Sequence, residues 1–402
     1  MRHAFYLAWR HLAYHWGRST LLVVALALSG FLPIALRQLI DAGGRAMIAR
    51  AESTPLVVGA RGSELDLVVA SLYFAPPAPR AITMGDRTRL EVDDNLVVPL
   101  HLGYTARKRP VVGTTLDYFT LRERPLASGR LFALLGECVV GSRVARDLGL
   151  VLDADGDGPN DPPLLTDAID PYNLAGTIPL KLHVAGILAS SGTADDDAIF
   201  VDIKTAWTVS GLGHGHQEAA AIKDPNDLIG NVEGHVVASE RLKHYEEITP
   251  SNAASFHFHG DPDSFPVHAF LVRPSSERAS TLLQGTFQRS DEPLAIVKPS
   301  SAIDRLLREI LRVRRVLEAV LVAVLAATLT MVGVVFTLSI RLRHDELATM
   351  VRLGAARGTI ASMVIAEVLA LAAIATLLGS LGLATAQALA PAVERQLLSL
   401  RG

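Results

Sequence analysis

Three stretches of this 402-residue chain are apolar over a length that matches a lipid bilayer, which takes roughly 20 consecutive apolar residues to cross. They run from Ser19 to Leu36, from Val316 to Ile340 and from Ile360 to about Ala390. The third is too long for one upright span and too short for a hairpin of two, so we expect a single helix that is tilted or extends beyond the bilayer. These segments predict an α-helical membrane protein with about three transmembrane helices.

The composition agrees with this prediction. Half of the residues are hydrophobic and 20% are charged, a balance that favours a membrane protein over a soluble one. The net charge of −3 argues against nucleic-acid binding. The single cysteine, Cys138, excludes an intrachain disulfide and a cysteine-rich zinc site. A signal peptide is the alternative for the first segment, although the segment is long for one and no clear Ala-x-Ala cleavage site follows it.

Arginines indicate which side of the membrane each connecting region faces. Those before the first segment and between the second and third are Arg2, Arg10, Arg18, Arg341, Arg343, Arg352 and Arg357. By the positive-inside rule, both regions and the N-terminus are cytoplasmic and the large intervening domain is external. A further arginine cluster just before residue 316 opposes this orientation, but long domains cross the membrane largely regardless of charge.

The predicted organisation follows from these assignments. In chain order, the parts are a cytoplasmic amphipathic helix (1–18), transmembrane helix 1 (19–40), an external α+β domain (41–299), a stalk helix (300–315), transmembrane helix 2 (316–340), a short cytoplasmic helix or loop (341–359), transmembrane helix 3 (360–390) and an external tail (391–402). In the first part, Phe5, Trp9, Leu12 and Trp16 share one helical face. This face predicts a helix on the membrane surface, and a plain extension of the first span is the alternative.

Strand-like and helix-like patterns alternate in the external segment. The stretch TPLVVGARGSELDLVVASLYF indicates a strand, a glycine turn and an amphipathic helix. Apolar runs bounded by turn residues predict further strands at NLVVPLHL, RPVVGTT, GECVVGS, LKLHVAGIL, DAIFVDI and FPVHAFLVR. Helical patterns lie between several of them, at SRVARDLGL and ASTLLQGTFQR. We expect an α+β domain built from two lobes.

The stalk segment has a capping-box pattern at its start, from Ser301 to Asp304, and an apolar stripe along one face. Its opposite face carries the candidate stalk residues Arg305, Arg308, Arg312 and Arg315. A rigid helix continuous with the second span would transmit motion between the external domain and the membrane. The alternative is that the arginines form an ordinary solvated face.

The stretch SIRLRHDELATMVRLGAARGTIAS, residues 339–362, separates the second and third apolar segments. It predicts a short helix with an apolar face of Leu347, Met350, Val351 and Gly354 and an opposite face of Asp345, Thr349 and Arg352. Gly354 is suited to the left-handed conformation at a helix end. The apolar edge could occupy a groove on a partner protein; a membrane-surface helix without a partner is the alternative.

The order of these parts resembles that of MacB/FtsX-type ABC transporter permeases. The stretch at 339–362 is similar to the signature that follows their second span, here Arg341, Arg343, Glu346, Leu347, Ala348, Met350, Leu353, Gly354 and Ala355. In the external domain, VVGTTLDYFTLRERPLASGRLF, ECVVGSRVARDLGL, LHVAGIL and DDAIFVDIKTAW follow the order of the family's periplasmic core domain. Two features differ, since Val351 stands where the family has a basic residue and no fourth span precedes Gly402.

The resemblance implies the permease subunit of an ABC transporter in the inner membrane, working as a homodimer or heterodimer for export, extraction or mechanotransmission. The short helix would dock on a separate ABC ATPase that binds ATP and Mg. The implied ATPase-coupling residues are Arg343, Glu346, Leu347, Met350, Arg352, Leu353 and Gly354. With three spans, the C-terminus would lie outside, and either the pore geometry differs from that of the family or a partner supplies the fourth helix.

The sequence contains no phosphate-binding G-x-x-x-x-G-K-[ST] loop, no H-E-x-x-H and no G-x-S-x-G motif. We therefore expect this chain to have no enzymatic activity and no cofactor of its own, with ATP hydrolysis in the partner subunit. The alternative function is a membrane-tethered receptor or scaffold whose external domain binds a ligand, a protein or a metal-linked partner without transport.

Two clusters have residue types that ligate metals. The candidates are the histidines His214, His216, His257 and His259 and the aspartates Asp153, Asp155 and Asp157. Each His-x-His pair would project two imidazoles to one side of an extended strand, which suits zinc or copper. The aspartates resemble the first half of an EF-hand loop, but Leu164 occupies its twelfth position. Surface histidines and a solvated acidic loop are the alternatives.

One charge, Glu367, lies near the start of the third apolar segment. A carboxylate is costly where it faces lipid. We expect either a contact with another helix or an orientation toward the cytoplasmic interface.

Overall fold

The computed structural model describes residues 2–76, 78–152, 164–168, 179–215, 228–232, 235–238, 246–249, 251–287, 292–342, 344–352 and 356–399. The chain divides into two compact units. Unit 1 comprises Met1–Arg45 and Leu307–Gly402, and unit 2 comprises Ala46–Leu306.

Helices are numbered along the chain. They are α1 (Arg2–Tyr14), α2 (Trp16–Glu52), α3 (Glu64–Tyr73), α4 (Asp117–Arg122), α5 (Ser142–Leu148), α6 (Ile203–Val209), α7 (Glu277–Phe287), α8 (Pro299–Leu342), α9 (His344–Arg352) and α10 (Arg357–Ser399). Unit 1 consists of α1, α9, α10 and the longer parts of α2 and α8. The remaining helices belong to unit 2.

Strands are numbered in the same way. They are β1 (Leu56–Ala60), β2 (Ile82–Thr83), β3 (Leu96–Ala106), β4 (Arg109–Thr114), β5 (Leu126–Gly129), β6 (Glu137–Val140), β7 (Leu164–Ala168), β8 (Lys181–Leu188), β9 (Ile199–Asp202), β10 (Gly213–His214), β11 (Leu228–Val232), β12 (His235–Ala238), β13 (His257–Phe258), β14 (Pro266–Val267), β15 (Ala269–Arg273) and β16 (Leu294–Val297). All of them lie in unit 2.

Among the residues of unit 1 that the structure describes, three helical segments are long and apolar enough to cross a membrane. They are Trp16–Gln38 in α2, Arg315–Val335 in α8 and Ile360–Thr385 in α10. None of the α8 segment is fully buried, and much of its apolar surface is exposed. The third segment is one continuous helix, as the sequence predicted, and it extends well past the length of a single span.

Unit 2 is centred on a mixed sheet of ten strands. Nine of them follow the order β16-β1-β15-β3-β4-β9-β6-β8-β5, and β7 pairs with both β3 and β8. The β4–β9 and β6–β8 pairs are parallel, and the other pairs in this sheet are antiparallel. Parallel neighbours need crossover connections, which explains why short helices such as α4 and α5 alternate with strands in this part of the chain.

In the described part of unit 2, two apolar cores pack against this sheet. One includes Val140, Leu182 and Val201, and the other includes Val58, Trp207 and Phe270. Where the sequence predicts two lobes, the structure therefore has two cores joined by one sheet. The β-branched residues of the strands, whose side chains alternate between faces, supply much of both cores.

Helices α2 and α8 connect to neighbouring strands at one edge of the sheet. Only residues 53–55 separate α2 from β1, and only Lys298 separates β16 from α8. β1 and β16 pair antiparallel, with Val57 opposite Val297 and Ala60 opposite Leu294. Thus β1 follows α2 and β16 precedes α8, and these two strands are hydrogen-bonded neighbours.

The predicted fold class is confirmed, since three membrane-capable helices accompany a large α+β domain. The start of the stalk differs slightly from the prediction. Helix α8 begins at Pro299, two residues before the predicted capping residue Ser301. Proline is favoured in the first turn of a helix because its missing N–H would have no intrahelical partner there.

Candidate functional site

The short helix predicted between the second and third apolar segments is present as α9, a nine-residue helix. It is separated from α8 by Arg343 alone and from α10 by residues 353–356. Helix α9 is thus joined to each membrane-capable helix by at most four residues. Its last residue, Arg352, is exposed and places a cation at the helix C-terminus, where the helix dipole favours positive charge.

The predicted coupling residues are only partly described. Glu346, Leu347 and Met350 lie in α9 with Arg352. Thr349 and Val351 are exposed. Arg343, Leu353 and Gly354 lie outside the described residues.

Helices α1, α2, α8 and α10 of unit 1 pack through a small apolar cluster. Its buried members are Leu12, Leu22, Val23, Leu371 and Ala375. Close approach of α10 to α2 occurs at Gly382, where a Cβ would lie 3.5 Å from the ring of Phe31. Small residues at helix contacts in membranes allow this kind of approach. Ser29 of α2 and Thr328 of α8 are joined by a hydrogen bond of 3.0 Å.

Glu367, the carboxylate within the third apolar segment, contacts α1. Its Oε1 lies 2.9 Å from Nδ1 of His11, and the Glu367 side chain is 3% exposed. Of the two predicted arrangements, the structure therefore has the contact with another helix. The polar pair connects the N-terminal helix to α10 among apolar residues, where such contacts are favoured over unpaired polar groups.

Unit 2 fixes the last turn of α2 through a buried ion pair. Arg50 donates to both carboxylate oxygens of Asp195, at 2.7 and 3.2 Å, and both side chains are almost completely buried. The Tyr118 hydroxyl donates to Asp195 at 2.7 Å, and Nε of Arg124 lies 3.2 Å from the same carboxylate. A bidentate arginine–carboxylate pair adds geometric specificity to its charge attraction. The end of α2 is therefore held in a defined position against the sheet domain.

The environment keeps Asp195 ionised despite its burial. Burial opposes ionisation, but the charge of Arg50 and the hydrogen bonds from Arg50 and Tyr118 outweigh it, so the pKa of Asp195 lies below its ordinary value. Burial also raises the pKa of Tyr118, and the negative charge of Asp195 raises it further, which keeps the phenol protonated as a donor. The backbone position of Asp195 depends on Gly141, where a Cβ would come within 2.2 Å of the Asp195 carbonyl oxygen.

The predicted stalk residues lie along the first part of α8. Arg305 forms an exposed ion pair with Glu64 of α3. Arg308 and Arg315 are exposed, and Arg312 lies in the same helix. Beside them, Ile303 is fully buried in unit 2, so one face of this helix start is packed while the arginine face meets solvent.

The structure brings together three of the predicted metal-ligating histidines. Their coordinating ring atoms all lie within 4.8 Å of one another, and the residues are His214, His257 and His259. The remaining candidates, which are His216, Asp153, Asp155 and Asp157, lie outside the described residues.

Two features of unit 2 were not identified from the sequence. One is the Arg50–Asp195 pair, whose members are 145 residues apart. The other is the pair of His101, which is buried, and His268, which is partly buried, and their rings meet edge to face at 4.7 Å. Burial lowers the pKa of His268 to about 4, and the pKa of His101 lies well below its ordinary value because of burial and the neighbouring His268.

Comparison with known proteins identifies the C-terminal part of the chain. Residues 318–400, which contain the membrane-capable part of α8 together with α9 and α10, match the family described as FtsX-like permease C-terminal. The predicted resemblance to this permease family is confirmed over these residues. No curated protein matches the sequence.

Several solved structures are similar to part of the chain, and three of them are described here. The periplasmic region of MacB from Actinobacillus actinomycetemcomitans has 9% identity and a TM-score of 0.34, covering 65% of this chain and 97% of that chain. The extracellular domain of the noncanonic ABC-type transporter YknZ from Gram-positive bacteria has 14% identity and a TM-score of 0.30, with coverages of 60% and 98%. A domain of a putative permease protein from Porphyromonas gingivalis has 9% identity and a TM-score of 0.23, with coverages of 60% and 84%.

Proposed function

We propose that this chain, whose residues 318–400 match the FtsX-like permease C-terminal family, is the permease subunit of an ABC transporter in the cell membrane. It would work as a dimer with itself or another permease, together with a separate ABC ATPase. The observation that carries the proposal is helix α9, which lies between two membrane-capable helices and inside the matched region. The N-terminus and α9 would be cytoplasmic and the sheet domain external.

The dimensions of α9 suit docking on a partner. Nine helical residues extend about 14 Å. On a helix of this length, Leu347, Met350 and Val351 fall on one side and Thr349 and Arg352 on the other. An apolar strip bordered by charge is the usual feature of a helix that lies in a groove of another protein.

ATP hydrolysis would take place in the partner. The sequence has no phosphate-binding loop of the G-x-x-x-x-G-K-[ST] type, so ATP and Mg would be bound by the ATPase subunit. Closure of the ATPases would push on α9, and the short connections would pass the displacement to α8 and α10. The chain itself would carry force rather than catalyse a reaction.

The path from membrane to external domain is supported by how α2 and α8 join unit 2. β16 precedes α8 in the chain, and Lys298 is the one residue between them. α2 leads into β1, and its last turn is held by the hydrogen bonds between Arg50 and Asp195. Because β1 and β16 are hydrogen-bonded neighbours, relative movement of the two helices would act on one strand pair. Such an arrangement fits transmission of motion to an external binding surface for export, extraction or mechanotransmission.

The test uses one charge on each face of α9. The tagged full-length chain is purified from its native membranes as the wild type, Met350→Asp and Thr349→Asp. We expect the wild type and Thr349→Asp to retain an ATPase with a phosphate-binding loop, detected by mass spectrometry and by vanadate-sensitive ATP hydrolysis. Met350→Asp is expected to lose most of the bound ATPase, because an unpaired charge buried in an apolar groove costs about 3 kcal/mol.

Retention of the full ATPase complement by Met350→Asp would contradict docking through this face. Absence of any ATPase from the wild-type preparation would favour the alternative of a membrane-tethered receptor or scaffold. The Thr349→Asp variant controls for a general effect of added negative charge, since Thr349 is exposed on the same helix.

A further inference from the structure

A two-stranded ribbon outside the main sheet presents three histidines together. Strands β10 and β13 pair antiparallel, with His214 directly opposite His257. His259 follows His257 by two residues, and its N–H donates to the carbonyl of Leu212 at 3.2 Å, so the pairing continues beyond the short strand. Residues two apart on a strand point to the same face, and directly opposed residues share a face as well. The three imidazoles therefore lie on one side of the ribbon.

The other side of the ribbon is occupied by aromatic residues. Phe256 and Phe258 alternate with the histidines, and they pack over Gly215 and Gly213. A Cβ at Gly213 would lie 2.6 Å from the ring of Phe258, and one at Gly215 would lie 2.5 Å from the ring of Phe256. Both phenylalanines also pack against the apolar cores of unit 2. This packing fixes which face of the ribbon turns inward and leaves the histidine face partly exposed.

The three rings are close enough to share a ligand. Their centroids are 5.0 Å apart for His214 and His257, 4.9 Å for His214 and His259, and 4.8 Å for His257 and His259. The coordinating atoms lie within 4.8 Å of one another. Around a tetrahedral zinc ion with Zn–N distances near 2.0–2.1 Å, neighbouring nitrogens are about 3.3 Å apart. Small rotations of the side chains would close this difference without movement of the strands.

One histidine already has the hydrogen bond that a metal ligand commonly makes. The Nδ1 atom of His257 lies 2.9 Å from the carbonyl oxygen of Ser255. Since the carbonyl can only accept, Nδ1 donates this hydrogen bond, and Nε2 is the ring atom that would coordinate a metal. Metal-ligating histidines almost always donate their second ring N–H in this way, which fixes the tautomer and the ring orientation.

We propose that His214, His257 and His259 form a binding site for one divalent transition-metal cation, with zinc as the ion that fits best. Imidazole nitrogens suit zinc, copper and nickel, and three histidines with an open fourth position are a recurrent arrangement for zinc. The site lies in the sheet domain and does not depend on the proposed transporter function. It would give the external domain a metal-dependent contact point, because the open position on the ion can accept a ligand from solvent or from another molecule.

The first test measures zinc binding by the full-length chain in detergent, purified with a tag that contains no histidine and stripped with a chelator. Isothermal titration with zinc, and metal analysis after dialysis, should give one tightly bound zinc per chain. The triple variant His214→Gln, His257→Gln, His259→Gln should lose this site, with a decrease in affinity of at least about 100-fold, since changes outside the ligand shell alone cost about 10–100-fold. His183→Gln removes a partly exposed histidine of the same domain and should bind zinc like the wild type.

A second measurement requires no variant. Cobalt added to the stripped wild-type protein should give the intense visible absorption of a four-coordinate site with nitrogen ligands, and zinc should displace it. Failure of the wild type to bind either ion would overturn the proposal, and the rings would then simply pack against one another. Unchanged zinc binding in the triple variant would also overturn it, because the metal would then be held elsewhere.

Discussion

At the scale of single residues, the sheet domain depends on buried charges whose partners are distant in sequence. Asp195 accepts two hydrogen bonds from Arg50 and one from Tyr118, and its carboxylate also lies close to Arg124. A buried ion pair is a weak source of net stability, but removal of one member leaves the other charged and desolvated. The network therefore acts mainly as a specific connection between the end of α2 and the domain.

We predict that Asp195→Asn lowers the free energy of unfolding of the sheet domain by about 3–5 kcal/mol, because Arg50 would remain buried without a counter-charge. The measurement is denaturant unfolding of the full-length chain, followed by the fluorescence of the buried Trp207. Glu64→Gln is the matched control, since it breaks an arginine–carboxylate pair that is half exposed. Its effect should stay below about 1 kcal/mol. Equal losses for the two variants would contradict a special role for Asp195.

The pair of His101 and His268 makes stability depend on pH. His268 accepts a hydrogen bond from the N–H of Leu102 at its Nδ1, 3.0 Å away, and this requires an unprotonated nitrogen. Burial lowers its pKa to about 4, whereas an unfolded histidine titrates near 6.5. Between these values the unfolded state binds more protons, so the free energy of unfolding must fall as the pH falls from about 6.5 to about 4. For His268 alone, this amounts to roughly 3 kcal/mol.

We predict that His268→Asn reduces this loss of stability between pH 6.5 and 4, since the asparagine oxygen can accept from Leu102 but does not titrate. His101 remains buried and keeps part of the dependence. The slope is measured by unfolding series at several pH values with Trp207 as the reporter. If the free energy of unfolding of His268→Asn depended on pH as steeply as that of the wild type, another group would be responsible.

The residue scale also shows where sequence reasoning ends. The His-x-His spacing was visible because alternation along a strand is local, and this predicted that His257 and His259 share a face. The pairing of β13 with β10, which adds His214, depends on tertiary structure. Likewise, nothing in the local sequence connects Arg50 to Asp195. Charges at the end of an apolar helix are common, and only the fold determines that this one is buried.

At the scale of helices and strands, prediction succeeded where one periodicity extended over many residues. The predicted strands and the helices α3, α5, α7 and α9 are present. The predicted apolar face of the N-terminal segment, which the structure divides between α1 and the start of α2, shows the opposite case. Leu12 is buried against α2 and α10, whereas Trp9 and Trp16 are 61% and 74% exposed, although all three share the predicted apolar face. Helical spacing identifies a face but does not specify which of its residues meet protein and which meet lipid or water.

Helix α1 is held to α10 partly by the His11–Glu367 contact, which leads to a prediction about that helix. We predict that Glu367→Ala weakens the docking of α1 by about 1–2 kcal/mol, the range of polar contacts between membrane helices. The measurement is hydrogen exchange of the amides of Arg2–Tyr14 in the full-length chain, which should become faster. Thr376→Ala removes an exposed hydroxyl from the same helix and should leave the exchange of α1 unchanged. Unaltered exchange in Glu367→Ala would mean that the apolar cluster around Leu12 suffices.

At the scale of the whole molecule, the question is how a helix that crosses a membrane acts on a folded external domain. The three membrane-capable helices were predictable from the sequence, because apolar length is its strongest signal. The family was predictable from the resemblance of the order of parts and of residues 339–362, which lie inside the matched region. The sequence did not predict that α2 and α8 lead into adjacent strands. That arrangement follows from the sheet order, in which β16 is the edge strand and β1 is its neighbour. Under the proposed function, force from α2 and α8 would therefore reach the sheet domain at one edge of the sheet.

The connection between β16 and α8 is therefore the point at which coupling can be interrupted without damage to either part. We predict that insertion of Gly-Gly-Ser between Val297 and Lys298 leaves ATPase binding and ATP hydrolysis intact but abolishes the ATP-dependent change in hydrogen exchange at β1 and β16. A flexible linker absorbs a displacement that a single connecting residue transmits. The same insertion between Arg107 and Lys108, in the exposed turn of the β3–β4 hairpin, is the matched control and should preserve the change. If the insertion after β16 also preserved the ATP-dependent change in exchange, transmission through α8 would be contradicted and force would enter the domain through α2, where Arg50 pairs with Asp195. The insertion combined with Asp195→Asn would then abolish the change.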